Sequence, residues 1–344
     1  MIREAEWIWR DGEVIPWRDA NVHLLSLAVQ FGSSVFEGVR CYGTPHGPAI
    51  FRWHEHLRRL YDSCRIYRME PEWTPDELTA ATADLIARNE LEACYIRPMV
   101  LRGYGDAGMM PGVSPIETFI ACWPWGTYLG EGALENGVDV CVSTWQRPEP
   151  NTFPALAKAA GHYNNAQLIK MEAAANGYVE AIALAPNGLV SEGSGQNVFL
   201  VRDGVIRTTG VDGTILSGIT RASIITIARD LGIEVEQGTI PREMLYTADE
   251  VFFTGTAAEV TPIRSIDRIT VGAGTAGPVT LALQKQFLDI VYGRVPDRHG
   301  WLTFVEDARS GSATRRMSAA DAERVGPHSH SEPSAMEPRA DPGR

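Results

Sequence analysis

The chain has 344 residues, 44% of them hydrophobic and 22% charged, with a net charge of −12 at neutral pH. That length holds two domains, or one large one, and buries a sizeable core. The acidic balance argues against nucleic acid or an anionic membrane as the main partner, and no apolar run reaches the roughly 18 residues of a membrane span.

The N-terminus, Met1-Ile-Arg-Glu-Ala-Glu-Trp7, lacks the basic and apolar regions of a secretory signal. Ala5 to Arg10, a turn at Asp11-Gly12 and Glu13 to Pro16 predict a hairpin. Trp53 to Tyr67 predicts a helix with Leu57, Leu60, Cys64 and Tyr67 on one face. A second helix starts after Thr74, with Pro75 at its first position and Glu77 completing a capping box. Cys94 to Leu101 and Ile116 to Trp123 read as strands. These elements predict a small N-terminal α/β domain over residues 1–123, followed by a connecting loop at 124–135.

A larger C-terminal domain is expected over 136–307. Val138 to Trp145 alternates like a half-buried strand, and Pro148, Pro150 and Pro154 make an irregular connection to Lys158. A helix runs from about Tyr163 to a terminal glycine at Gly177. Val179 to Ala185 and Leu189-Val190 read as paired strands, and Asn197 to Arg202 with Asp203-Gly204 as another hairpin. Ile219 to Leu231 and Pro278 to Tyr292 predict helices. From 308 to 344 the chain is Ser, Ala, Arg, Pro and Gly without periodicity, which predicts a disordered tail.

Only Lys158, Lys170 and Lys285 are lysines among the 31 basic residues. Lys158 lies in Pro154-Ala-Leu-Ala-Lys-Ala-Ala-Gly161, with no acid within five positions. Desolvation there favours a nucleophilic amine, as a Schiff-base lysine needs; the alternative is a surface lysine on an Ala-rich loop. Arg58 and Arg59 point about 100° apart on a helix, so one of them is free to face inward and clamp a phosphate or carboxylate. Ser217-Gly-Ile-Thr220 opens a helix, either as a phosphate cup or as an ordinary cap. Gly255-Thr-Ala-Ala258 is a second small-residue loop. Glu192 ends a strand in a glycine-rich bend. It is either a turn acid or the partner of a cofactor's ring nitrogen.

Other motifs carry less. Gly103–Gly108 and Gly272–Gly277 both match GxGxxG, but neither sits in a strand–turn–helix frame, and both read as loops. His54-Glu-His56 lacks a third metal ligand, so no metal is expected. Five scattered cysteines without CxxC read as free thiols in a reducing cytoplasm.

Taken together, the motifs Phe31-Gly-Ser-Ser-Val-Phe-Glu-Gly38, Tyr95-Ile-Arg-Pro98, Trp123-Pro-Trp-Gly-Thr-Tyr-Leu-Gly130, Ala157-Lys-Ala-Ala-Gly-His-Tyr163, Ser191-Glu-Gly193, Gly218-Ile-Thr-Arg221 and Gly255-Thr-Ala-Ala-Glu-Val-Thr-Pro262 resemble the fold-type-IV pyridoxal-phosphate aminotransferases. Within these the match is to the bacterial branched-chain amino-acid enzymes, from about Ala5 to Val305. The resemblance implies a two-domain α/β (α+β) fold whose C-terminal domain is a mixed-sheet pseudo-barrel. It implies pyridoxal 5′-phosphate as cofactor, no metal, and a dimer or a hexamer of dimers in which the Gly103–Gly112 loop reaches a neighbouring subunit.

By the same resemblance, Lys158 bonds the cofactor and moves a proton between Cα and C4′. Tyr163 meets the ring oxygen and Glu192 the ring nitrogen. Arg59, the backbone at Ile219 and Thr220, and Thr256 hold the phosphate. Thr256 and Ala257 receive the substrate carboxylate. Phe36, Trp125 and Tyr128 wall the side-chain pocket, with Tyr95 and Arg97 at its rim. The implied reaction passes an amino group from L-leucine, L-isoleucine or L-valine to 2-oxoglutarate. A D-amino-acid or (R)-amine transaminase is the alternative on the same fold, and a NAD-dependent dehydrogenase a remote one. Three positions depart from the commonest pattern: Phe31 for tyrosine, Gln196 for glutamate and Ser217 for proline.

Overall fold

A computed structural model describes residues 2–105, 108–112, 114–126, 129–130 and 132–309. Tyr128, part of the Gly103–Gly112 loop and the tail from 310 lie outside the described residues.

The expected hairpin forms from β1 (Trp7–Arg10) and β2 (Glu13–Pro16). Asp11 and Gly12 both take left-handed φ, 43° and 92°, which a two-residue hairpin turn needs to match strand twist. Residues 27–51, which carry no assignable pattern in the sequence, fold as α1 (Leu27–Phe31), β3 (Ser34–Phe36), β4 (Val39–Thr44) and β5 (Gly47–Phe51).

Helix α2 (Trp53–Ile66) buries Leu57, Leu60 and Cys64 as its spacing predicts, and Trp53 with them, while the expected Tyr67 caps the helix and is only partly buried. Helix α3 (Pro75–Arg88) starts with the expected capping box: Thr74 Oγ1 accepts from the Glu77 N–H, and Glu77 Oε2 accepts from the Thr74 N–H at 2.8 Å. The long strands β6 (Cys94–Arg102) and β7 (Ile116–Trp123) pair along eight residues. The sheet order is β5-β4-β6-β7-β1-β2, with β3 also on β6. Its core joins Leu57, Leu60, Leu85, Ile96 and Ile120.

After the short helix α4 (Ala133–Asn136), β8 (Val138–Val142) opens the second sheet. It ends before the expected Trp145, because the Thr144 N–H leaves the ladder for the Glu172 carboxylate at 3.0 Å. Helix α5 (Tyr163–Ala175), followed by Gly177 at φ 78°, crosses over to β9 (Glu180–Leu184), parallel to β8. Then come β10 (Val190–Gly193), β11 (Asn197–Arg202), β12 (Val205–Thr209), α6 (Ile219–Asp230) and β13 (Val235–Gly238). They are followed by α7 (Met244–Thr247), β14 (Glu250–Gly255), β15 (Glu259–Ile266), β16 (Ile269–Thr270) and α8 (Pro278–Val291).

The order of this mixed sheet is β10-β9-β8-β15-β14-β11-β12-β13, with β16 on β15. Adjacent β14 residues face opposite ways, as a pleat requires. Phe252 packs with Ile224 of α6 and Leu283 and Phe287 of α8, whereas Phe253 joins Val140, Ile182 and Ile263 on the other face. The fold class is the expected α/β.

Strand β17 (Leu302–Phe304) then returns to the first sheet, antiparallel to β5. The stretch read with the C-terminal domain therefore gives its last strand to the N-terminal one. Residues 305–309 make a helical turn whose Ala308 packs on the first core, so ordered chain continues two residues into the expected tail. No described helix is long and apolar enough to cross a membrane.

Candidate active site

Lys158 sits on the irregular segment between β8 and α5, tied to the first sheet on both sides. Its carbonyl accepts from the Phe36 N–H at 3.0 Å, and its N–H donates to Ser63 Oγ of α2 at 3.0 Å. Val35 and Ala159 form a bridge beside it. The side chain is half-buried rather than buried. Its Nζ lies 2.6 Å from the Tyr163 hydroxyl and 5.1 Å from the Phe36 ring centroid. Tyr163 opens α5, and its ring stands 4.8 Å from that of Phe36.

A cavity of about 620 Å³, open mouth included, lies between the two units. Lys158, Tyr163, Glu192, Arg59, Ile219, Thr220 and Thr256 all line it. Glu192, at the end of β10, is 4% exposed. Its Oε1 accepts from Arg147 Nη2 at 2.8 Å, and its Oε2 from Asn197 Nδ2 at 3.0 Å and the Leu216 N–H at 3.1 Å. Burial pushes this carboxyl up, outweighing Arg147 and the Leu216 amide, which pull it down.

At the other end, Gly218 caps α6, and the cap has no side-chain hydrogen bond among the described residues. A Cβ at Gly218 would fall 2.0 Å from Asn197 Oδ1, so only glycine fits. Arg59 lies beside this end and donates to the Ser217 carbonyl at 2.9 Å, while Arg58 is exposed. The Arg59 guanidinium also forks onto Glu37 at 2.6 and 2.8 Å. Glu37 is fully buried and meets His56 Nδ1 at 2.6 Å. Burial alone would raise the Glu37 carboxyl, but Arg59 and His56 hold it well below the usual range. His56 is pushed down by burial, against the pull of Glu37.

Phe36, Tyr95, Arg97 and Trp125 form a cluster that is not part of the cavity lining and adjoins it through Phe36, whose ring lies beside Lys158 and Tyr163. Tyr95 stacks against Trp125 and Trp123 at 4.4 and 5.2 Å. The Arg97 guanidinium covers Phe36 at 4.6 Å and Tyr95 at 5.5 Å. Thr256 and Ala257 belong to the turn between β14 and β15. Tyr128 is not among the described residues. Sequence reasoning missed Glu37, Arg147 and Asn197. An acid inside the apolar run before Gly38 was the one local signal; the other two act through space.

The site fits a planar ring bearing a phosphate. Four cations line the cavity (Arg59, Arg147, Lys158 and Arg221) against the single acid Glu192, an excess suited to a dianion. An uncapped helix N-terminus adds donors, and the buried Thr254 hydroxyl has no partner among the described residues. The rival motifs fare differently. The N-terminus of α8, after Gly277, is filled by Glu250, which accepts from the Val279 and Thr280 amides at 3.0 and 2.7 Å. It leaves no pyrophosphate site there. His56 faces Glu37 and His54 is exposed, and no metal-holding group of three or more His, Cys, Asp or Glu occurs among the described residues.

A lysine paired with a phenol, opposite a buried acid and beside an open helix end, defines a class of transferases that work through a bound aromatic aldehyde. The amino-transferase class IV family model matches residues 34–266. The branched-chain-amino-acid aminotransferase of Escherichia coli K12 is 48% identical over 305 residues, 87% of this chain and 97% of that one. The Pseudomonas aeruginosa enzyme of the same name is 45% identical over 299 residues, again 87% and 97%. A crystal structure of the E. coli enzyme superposes with TM-score 0.86 at 48% identity, covering 88% of this chain and 100% of that one. The T.th. enzyme with pyridoxamine 5′-phosphate gives TM-score 0.85 at 48% identity, covering 88% and 99%. The chain belongs to the class IV aminotransferases.

His162, 8% exposed, sits between Tyr67 and the cavity, and burial together with Arg147 lowers it to about 4. The unfolded chain takes up this proton near pH 6.5 and the folded chain near 4. Stability therefore falls as pH drops through that window. The thermal midpoint of His162→Asn should fall less between about pH 7 and pH 4.5 than that of the wild type; parallel curves would contradict this.

Proposed function

We infer that this protein is a pyridoxal-phosphate-dependent aminotransferase that exchanges the amino group of L-leucine, L-isoleucine or L-valine with 2-oxoglutarate. The observation that carries the reading is the Lys158–Tyr163 contact at 2.6 Å in the same cavity as buried Glu192 and the open end of α6. When bound, the cofactor supplies a ring that draws electrons from the substrate Cα.

The chain's residues do the rest. Lys158 would hold the cofactor and serve as the base at the substrate Cα, its amine aimed by the Tyr163 hydroxyl at 2.6 Å. Glu192 would meet the ring nitrogen of the bound cofactor. Arg59, the amides of Ile219 and Thr220, and Thr256 hold the phosphate, while Thr256 and Ala257 receive the substrate α-carboxylate. The aromatic surface of Phe36, Tyr95 and Trp125 buries a branched side chain. Arg97, held by ring faces and with no partner on its Nε among the described residues, offers its outer edge to the second carboxylate of glutamate. Two structures of the T.th. enzyme, complexed with N-(5′-phosphopyridoxyl)-L-glutamate and with 4-methylvaleric acid, support both halves of this specificity.

The two sheets support two domains, one of residues 1–123 joined by the returning strand at 302–304 and one from 136 to about 301, with 124–135 between them. Five buried free thiols suit a reducing cytoplasm. We also propose a homo-oligomer. Leu24, Phe31, Met109 and Met110 are 73%, 51%, 86% and 78% exposed. Their segments adjoin through the His23–Tyr104 stack at 4.1 Å, giving an apolar surface suited to a second copy.

The purified protein should be yellow, bleach with L-leucine and recover with 2-oxoglutarate, and Lys158→Ala should not cycle. A wild type that holds the cofactor but ignores leucine while bleaching with D-alanine would move the assignment to the D-amino-acid enzymes. Arg97→Met should raise KM for 2-oxoglutarate at least tenfold and that for leucine by less than threefold; equal changes would remove Arg97 from carboxylate recognition. Light scattering should give a mass of two chains or more, and a single-chain mass would refute the oligomer.

A further inference from the structure

Arg147 belongs to no motif of the sequence, yet its position is tightly specified. It lies on the irregular segment after β8, where its N–H donates to the Leu184 carbonyl of β9 at 2.9 Å. Its side chain is 11% exposed. One terminal nitrogen donates to Glu192 Oε1 at 2.8 Å and the other to Asn165 Oδ1 at 3.2 Å. Asn165 is itself fixed, donating to the Gln146 carbonyl at 2.9 Å. It stands two residues after Tyr163 on α5, so one helix turn carries both the phenol beside Lys158 and the anchor of Arg147.

Glu192 needs such a partner. A carboxyl this buried loses its charge unless something compensates it. The Asn197 amide and the Leu216 N–H supply dipoles to Oε2, but Arg147 is the only full charge in hydrogen-bond contact with the carboxylate among the described residues. We propose that Arg147 is a positioning residue for the reaction: it keeps Glu192 ionised and turned so that the ring nitrogen bound opposite it stays protonated. The proposal rests on Glu192 being the partner of that nitrogen.

The sign follows from distance. Arg147 touches the carboxylate, and a ring nitrogen hydrogen-bonded to Glu192 would lie farther from the guanidinium than the carboxylate does. The guanidinium therefore stabilises the carboxylate more than it disfavours a protonated nitrogen behind it. Without Arg147, the proton shared by that pair moves to Glu192, and the ring loses its pull on the Cα electrons.

The test uses the full-length protein reconstituted with pyridoxal phosphate carrying 15N in the ring, and reads the nitrogen's protonation by its NMR shift. The wild type should show the protonated position. Arg147→Met should move the signal toward the unprotonated position and lower kcat at least tenfold. Arg147→Lys, which keeps the charge, should recover at least half of the shift. An unchanged signal in Arg147→Met overturns the proposal, as does an equal displacement in both variants, which would mark a packing role. If Arg147→Met fails to fold, Asn165→Ala serves in its place: freeing the guanidinium from its second anchor should give a partial shift, and no shift overturns the proposal. Glu192→Gln separates the two readings. If it moves the signal and the Arg147 variants do not, Glu192 keeps its role and Arg147 loses the one proposed; if it leaves the signal unmoved, the assignment of Glu192 fails and takes this proposal with it.

Discussion

The site depends on how the Lys158 main chain is held. Its N–H and carbonyl are both spent on the first unit, one on Ser63 Oγ of α2 and the other on the Phe36 amide of β3. A lysine on a free loop would sweep its four-carbon stem through solvent. Here the two bonds fix where the stem begins, and the Phe36 and Tyr163 rings flank where it ends. The same ties fasten the segment between β8 and α5 to the first sheet, so the placing of Lys158 and the packing of the two sheets are one constraint. Residues from both units then face one cavity: Arg59 from the first, and Glu192, Thr220 and Thr256 from the second.

Charge is distributed around that constraint by a consistent rule. The acids near the cavity are each matched to an arginine, Glu37 to Arg59 and Glu192 to Arg147, at 2.6–2.8 Å. An unpaired buried carboxylate would be costly, and pairing converts it into a rigid acceptor that aims a guanidinium. Lys158, Arg97 and Arg221 have no such acid among the described residues. Of these, Lys158 and Arg221 line the cavity, which leaves positive charge in excess there, an arrangement suited to anionic ligands.

Much of this was legible because it is local. The Thr74 capping box, the Asp11-Gly12 turn and the α2 stripe each lie within a few residues of sequence, and each appears as expected. The strands of residues 34–51 escaped because they are short and broken by Gly38, Gly43, Gly47 and Pro48, which erases the alternation that marks a strand. Arg58 and Arg59 could not be told apart by spacing; the choice is made by Glu37, 22 residues away. Arg147 and Glu192 are 45 residues apart, and no one-dimensional pattern links them. Motif resemblance reached residues that line the cavity, among them Lys158, Tyr163 and Glu192, but not those that hold them in place.

The three departures from the family's commonest residues show why the machinery survives them. Ser217 contributes its carbonyl to Arg59, and any residue there supplies one. Gln196 donates its amide to Glu180 at 3.1 Å, and Glu180 is fully buried and also pairs with Lys170 at 2.9 Å. A glutamate at 196 would set two carboxylates against each other over one half-exposed lysine, so glutamine is the residue that satisfies this neighbourhood. Phe31 ends α1 and is 51% exposed. A tyrosine hydroxyl there would face solvent or a second copy of the chain rather than this chain's own cavity. Arg97, by contrast, lies within this chain's own aromatic cluster, its guanidinium oriented by the faces of Phe36 and Tyr95 and without a carboxylate partner among the described residues.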